Sequence, residues 1–128
     1  MTDNARIRFL VLFSISPEKM AEVGDFVAGQ LSRRFGGATV LQSSDQATLT
    51  GFWADDGQEF KNAYEGVIHK EPVISLMLSV LPEDEEEAYS QIKATLAEAA
   101  KRFALDCRHV HVETLRASAR HFDLQAEA

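Results

Sequence analysis

Cysteine is nearly absent from this 128-residue chain: Cys107 stands alone. One thiol cannot close an internal disulfide, so the fold must be held by its core, and a reducing compartment such as the cytoplasm is the expected setting. Long apolar runs are missing too. The longest, Phe9–Phe13 and Val73–Leu81, are strand-sized, well short of the ~18 residues of a membrane helix. The first residues, Met1 to Arg6, lack signal-peptide architecture. Positive charge is in deficit, with 13 Lys and Arg against 20 Asp and Glu, a net charge of −7. That disfavours a nucleic-acid backbone or an anionic membrane as the main partner. Proline occurs only three times and glycine seven, which excludes collagen-like and low-complexity classes. Nor is there a G-x-G-x-x-G turn, a Walker loop, an H-E-x-x-H helix or a G-x-S-x-G elbow. The acids Glu83 to Glu87 lack the alternation and central glycine of a calcium loop.

What is present is ordinary globular material, 45% hydrophobic and 26% charged. The length suits one domain, residues 1–128, burying roughly two thirds of its unfolded surface. Ile7 to Ile15 is apolar on both alternating faces, as in a central strand covered on both sides. Ser16-Pro17 opens a helix, with Ser16 as its cap. Met20, Val23, Phe26, Val27, Leu31 and Phe35 form its stripe, and Gly36-Gly37 ends it. Gly24 and Gly29 inside it point to close packing on a sheet. Ala38–Gln42 and Ala47–Ala54 read as strands of a hairpin around a turn at Ser43–Asp45. Asp55-Asp56-Gly57 is a further turn. Gln58–Lys70 fits a short helix, through Phe60, Ala63, Tyr64 and Val67, better than an extended arm. Val73–Leu81 is a strong strand. Pro82 opens a second helix whose stripe is Tyr89, Ile92, Leu96, Ala99 and Phe103, with acids at its start and Lys101 and Arg102 at its end. Cys107–Thr114 is the last strand, and Leu115–Ala128 a tail with Leu115, Phe122 and Leu124 as anchors for a short helix.

Two strand–helix–strand halves make a ferredoxin-like α/β plait, an α+β fold with a mainly antiparallel sheet and two helices on one face. The other face is left open. Leu10, Leu12, Met77 and Leu81 on it call for a covering subunit, the tail or a ligand.

Gly37–Leu41 (G-A-T-V-L), Gly51–Trp53 (G-F-W), Asp55–Gly57 (D-D-G) and Glu71-Pro72 entering an apolar strand resemble a family of small bacterial plait proteins. The layout is also similar to CutA and the PII-like signalling proteins. Proteins of that layout assemble as trimers; the open apolar face and the missing catalytic motifs make an oligomeric ligand-binding, regulatory or assembly module the expected role. The resemblance carries over no nucleotide loop residue by residue, and the cofactor stays unknown.

The last strand concentrates chemistry. Alternation places Cys107, His109, His111 and Glu113 on one face, with Val110 and Val112 toward the core. His109-x-His111 is a chelating spacing for zinc-type metals, completed by His69, Glu71 or a second subunit. Arg8, Ser14, Ser16, Ser75 and Ser79 add a polar patch, and with His109 and His111 a small-molecule site becomes possible; the serines equally suit close packing between copies. Trp53 stands with Phe52, Phe60 and Tyr64 for stacking or for core. The candidate ligand-binding residues are therefore His109, His111, Ser75, Ser79 and Trp53, with His109 and His111 the metal candidates and no catalytic residue assigned. Homo-oligomerisation through the open face is the leading partner expectation, with a small molecule or protein as possible ligand. The alternatives are a dimeric α+β-barrel enzyme using a histidine as acid and base, and a His-x-His metal-binding protein.

Overall fold

Alternating apolar residues in β1 (Ala5–Ser14) and β4 (Ile68–Val80) set the architecture. The computed structural model describes residues 4–42, 49–57 and 60–126. Its elements follow in the order β1, α1 (Pro17–Phe35), β2 (Thr39–Leu41), β3 (Thr50–Ala54), β4, α2 (Glu85–Arg102) and β5 (Val110–Ser118), with a 3-10 turn at Pro82–Asp84 before α2. Strands lie side by side as β2-β4-β1-β5, all pairings antiparallel, and β3 also pairs with β4. This is the ferredoxin-like plait: β1 and β4 are central, and each helix crosses from one strand to a non-adjacent one.

The core lies on one face. Ile7, Phe9, Val11 and Phe13 of β1 and Ile74, Leu76, Leu78 and Val80 of β4 pack against Met20, Val23, Val27 and Leu31 of α1 and Ala88, Ile92 and Ala99 of α2. Phe26 and Phe103 meet edge to face at 5.9 Å and join the helices. Arg34 and Glu87 form an ion pair across them. A Cβ on Gly24 would come within 2.8 Å of Gln42 Oε1 and 3.3 Å of Val40 Cγ1, so α1 lies against β2 closely at that point, as expected. Gly29 faces open space instead. Gly36 ends α1 with φ 96°, where a Cβ is disfavoured.

Several local expectations are corrected. Ser16 sits at the N-cap of α1 with no side-chain cap bond; its carbonyl accepts from the Lys19 N–H instead. β2 and β3 do not form a hairpin with each other. Both run antiparallel to β4, so they are parallel to one another. A continuation of β2's register would bring position 44 opposite Pro72, but Thr50 stands there. The turn expected at Ser43–Asp45 lies outside the described residues. No helix forms between 60 and 67; β4 starts at Ile68, five residues before the expected strand, because Thr50–Ala54 pairs with Ile68–Pro72. In α2 the buried stripe is Ala88, Ile92, Thr95 and Ala99, one position off the expected one at its start, and Tyr89 is exposed under the Lys93 ammonium. β5 begins at Val110 and runs to Ser118. The tail beyond is extended and turned, not helical, and Phe122 and Leu124 are exposed. No described helix is long and apolar enough to cross a membrane.

Candidate functional site

Strand parity builds the open face. Cross-strand partners share a face, so rows of side chains can be read from the registers. One row is Leu41, Ser75, Leu12 and His111; the next is Thr39, Met77, Leu10 and Glu113; a third is Ser79, Arg8 and Leu115. Leu12, Leu41 and Leu115 are exposed, Leu10 and Met77 half-buried, and no described element lies over them. Apolar and polar groups thus alternate across a face that no described element covers.

The predicted site residues fall in separate places on this framework. Ser75 and Ser79 lie on β4. Ser75 shares a row with His111 across Leu12, which puts them about two strand spacings, ~10 Å, apart. His111 Nε2 stands 2.6 Å from Glu113 Oε2, its same-face neighbour on β5, and both are exposed. A carboxylate in that position can orient an imidazole. His109 precedes β5, so the alternation expected from Cys107 starts only at Val110. The backbone of His109 is engaged: its carbonyl accepts from Cys107 Sγ at 3.3 Å. Burial pushes the Cys107 thiol above its ordinary value, the Ser14 and His109 backbone bonds oppose this, and the charges of Asp106 and Glu71 add to it. These effects favour the protonated thiol over the thiolate. Among the described residues no three His, Cys, Asp or Glu side chains group to hold a metal ion.

Trp53 lies at the far end of β4, opposite His69. Their rings are 5.8 Å apart, tilted by 31°, and the His69 Nε2 is paired with Asp55 Oδ1. Nearby, Ser14 Oγ donates to Glu71 Oε2. His69 and Glu71, named as possible extra metal ligands, are thus committed to other partners. The Trp53–His69–Asp55 cluster escaped the sequence reading because it depends on β3 pairing with residues 68–72. A helix there would have separated Trp53 from His69.

A groove of about 530 Å³ lies on the helix side of β5, lined by Phe9, Val110, Val112, Thr114, Tyr89, Glu85, Glu86 and His111. The start of α2 does not reach over the edge strand, so Val110 and Tyr89 remain about 40% exposed.

No protein-family model and no curated protein sequence matches the chain. Among solved structures, it is similar to the periplasmic divalent cation tolerance protein CutA from Archaeoglobus fulgidus, at 10% identity over 94% of this chain and 92% of that one, TM-score 0.49. It is similar to a phage SAM lyase in complex with S-methyl-5'-thioadenosine, at 11% identity over 96% of each chain, TM-score 0.48. A third likeness is to CPII bound to ADP and bicarbonate from Thiomonas intermedia K12, at 17% identity over 92% of this chain and 95% of that one, TM-score 0.40. The expected likeness in layout to CutA and PII proteins is therefore found. The plait itself rests on the strand order above and not on these likenesses.

Proposed function

We propose that this protein is a cytoplasmic, homo-oligomeric ligand-binding or regulatory module whose open sheet face is covered by further copies of the chain. One observation carries the reading: Leu10, Leu12, Leu41, Met77 and Leu115 lie on one sheet face that no described element covers. An apolar sheet face of this extent costs free energy in water until something covers it. Ser75, Ser79, His111 and Glu113 interrupt it with the few polar groups that orient a small ligand.

Native mass spectrometry of gently purified protein tests this directly. The expected result is an oligomer, with any retained ligand visible as added mass; a metal held by His109 and His111 would appear in the same spectrum. Met77→Glu then buries a charge in the covered face and is expected to give monomers. A wild-type monomer, or a Met77→Glu variant with unchanged assembly, overturns the reading.

The His111–Glu113 pair favours a second reading, an oligomeric enzyme in which His111 moves a proton on a substrate held at the covered face. A compound recovered bound to the wild type and turned over by it, but bound without turnover by His111→Gln, would establish that reading. Equal turnover by the variant would exclude His111 as the acid–base group.

A further inference from the structure

β5 carries the longest strand edge that no described strand pairs with. It pairs with β1 alone and is nine residues long, Val110–Ser118. It contains neither proline nor lysine, the residues that most simply blunt an edge. The other open edges are shorter. β2 pairs with β4 alone and offers three residues, Thr39–Leu41. The pairing of β4 with β1 stops at Val73, so Thr50–Ala54 and Ile68–Pro72 form a two-stranded ribbon beyond the body of the sheet.

The groove of about 530 Å³ runs beside the β5 edge, on its helix side. Val110, Val112 and Thr114 stand opposite Phe13, Val11 and Phe9, whose side chains face the helices. These alternate positions of β5 make a floor ~13 Å long, flanked by Tyr89 of α2. β4 ends at Val80 opposite Ile7, and Ile7 stands opposite Arg116. α2 therefore begins toward the Ser118 end of β5 and runs back toward its start. Its first-turn acids Glu85, half-buried, and Glu86, exposed, line the groove, and Tyr89 follows one turn on. The next acid, Glu87, is held by Arg34. Among the described residues Glu85 and Glu86 form no ion pair, with Arg116 or with any other cation. The groove is thus apolar along its floor and negative at one end, beside a row of backbone groups that no strand satisfies.

We infer that the free edge of β5 takes up an extended basic peptide of another protein as an added strand. Such a strand lies in the sheet plane, so its alternate side chains fall on the helix side. One of them, apolar or aromatic, seats between Val110, Val112 and Tyr89. The next, Lys or Arg, reaches Glu85 or Glu86 toward the Ser118 end. Main-chain bonds to β5 supply affinity, and the groove selects the two side chains. Charge fixes the class of partner: two carboxylates without ion-pair partners, on a chain of net charge −7, attract a basic peptide and repel an acidic one. The inference goes beyond the proposed module by naming a second surface and what it binds. It uses the sheet edge and not the open face, so it holds whether or not copies assemble there.

Selection of a displayed library of random short peptides on the intact protein tests this. The enriched sequences are expected to carry an apolar or aromatic residue two positions from a Lys or Arg. An enriched peptide, synthesised and added to the protein, is expected to slow amide exchange in Val110–Ser118. Glu85→Gln with Glu86→Gln keeps the size of both side chains, and circular dichroism verifies that the variant is folded. It is expected to weaken binding about tenfold or more, through loss of the charge pairing. N-methylation of alternate peptide nitrogens is expected to abolish binding in the register that faces β5 and to spare it in the other, because only one set bonds to the edge. No enrichment, or equal binding by the double variant, overturns the groove as the receptor. Equal binding by both N-methylated peptides overturns strand addition. Dissociation of wild-type oligomers by the double substitution, seen in sedimentation velocity without added peptide, shows a second copy of the chain on this edge and overturns the peptide as its occupant.

Discussion

The two faces of one sheet are made by the same strands and have opposite fates. On the helix side Phe9 and Val11 are completely buried, while on the other side their neighbour Leu12 is 38% exposed. The helix side is uniformly apolar along Ile7–Phe13 of β1 and Ile74–Val80 of β4. The open side mixes leucine and methionine with serine, histidine, glutamate and arginine. The difference teaches where to look for each property: residues under the helices fix stability, and the uncovered side is where the proposed ligand and contacts are to be sought.

The sharpest way to break that comparison is to truncate one residue on each side. Phe9→Ala empties the centre of the core and is expected to cost about 3–5 kcal/mol in urea unfolding. Leu12→Ala, three positions along β1 on the open side, removes a side chain that is not enclosed within one copy. Measured at concentrations where the chain is monomeric, its cost is expected below about 1 kcal/mol. Equal losses for the two variants would mean that the open face is covered within a single chain.

Strain is found in an exposed turn that follows α2, on the helix side of the sheet. Ala104 follows α2 with φ 52°, a left-handed conformation that disfavours a Cβ. The turn persists because Lys19 Nζ donates to the Phe103 and Ala104 carbonyls, each at 3.1 Å, and the Leu105 N–H reaches the Ala100 carbonyl. Ala104→Gly relieves the strain and is expected to raise stability by up to about 1 kcal/mol, read as a small rise in melting temperature. A fall would show that the unfolded-state entropy of glycine outweighs the strain.

Much of the plait was legible in the sequence, for reasons tied to particular residues. The unbroken alternation of Ile7 to Phe13 and Ile74 to Val80 leaves one strand register possible. The left-handed Gly36 and the Pro82 start marked helix boundaries. Harder to read were the places where pairing between distant segments decides the outcome. Phe60, Ala63, Tyr64 and Val67 have helical spacing, but Ile68–Pro72 is drawn into β4 by β3, and the intervening arm is left as bends. β5 was shifted by three residues because Cys107 and His109 extend its alternation in sequence while the pairing with β1 starts at Val110. The site shows the same limit: Ser75 and His111 fall in one row as their strands imply, whereas Trp53 meets His69 only through a pairing no local pattern announces.

The end of the ribbon gives the smallest effect and the most specific one. No buried apolar residue lies between 55 and 67 among the described positions, so polar bonds hold the arm in place. The Asp56 carboxylate accepts from the Glu65 N–H and the Gly66 N–H, each at 3.0 Å, and from Lys61 Nζ at 3.1 Å. A Cβ at Gly66 would come within 2.7 Å of Asp56 Oδ1 and 2.9 Å of its backbone nitrogen, so glycine permits this close wrap. The Glu65 N–H bond, with help from Lys61 and the Gly66 N–H and against a smaller opposing effect of burial, lowers the Asp56 carboxyl from 3.8 to about 2. A lowered carboxyl stabilises its folded contacts fully above the unfolded value of 3.8 and loses that contribution as pH falls toward about 2. The amide proton of Glu65 is therefore expected to titrate with a midpoint near 2, and a midpoint near 4 would show that the wrap does not form. Asp56→Asn removes the charge at every pH and is expected to speed tryptic cleavage after Lys61 at neutral pH while leaving the unfolding midpoint of the body unchanged. The ribbon then loosens without the plait, as a segment held by hydrogen bonds and not by a core must.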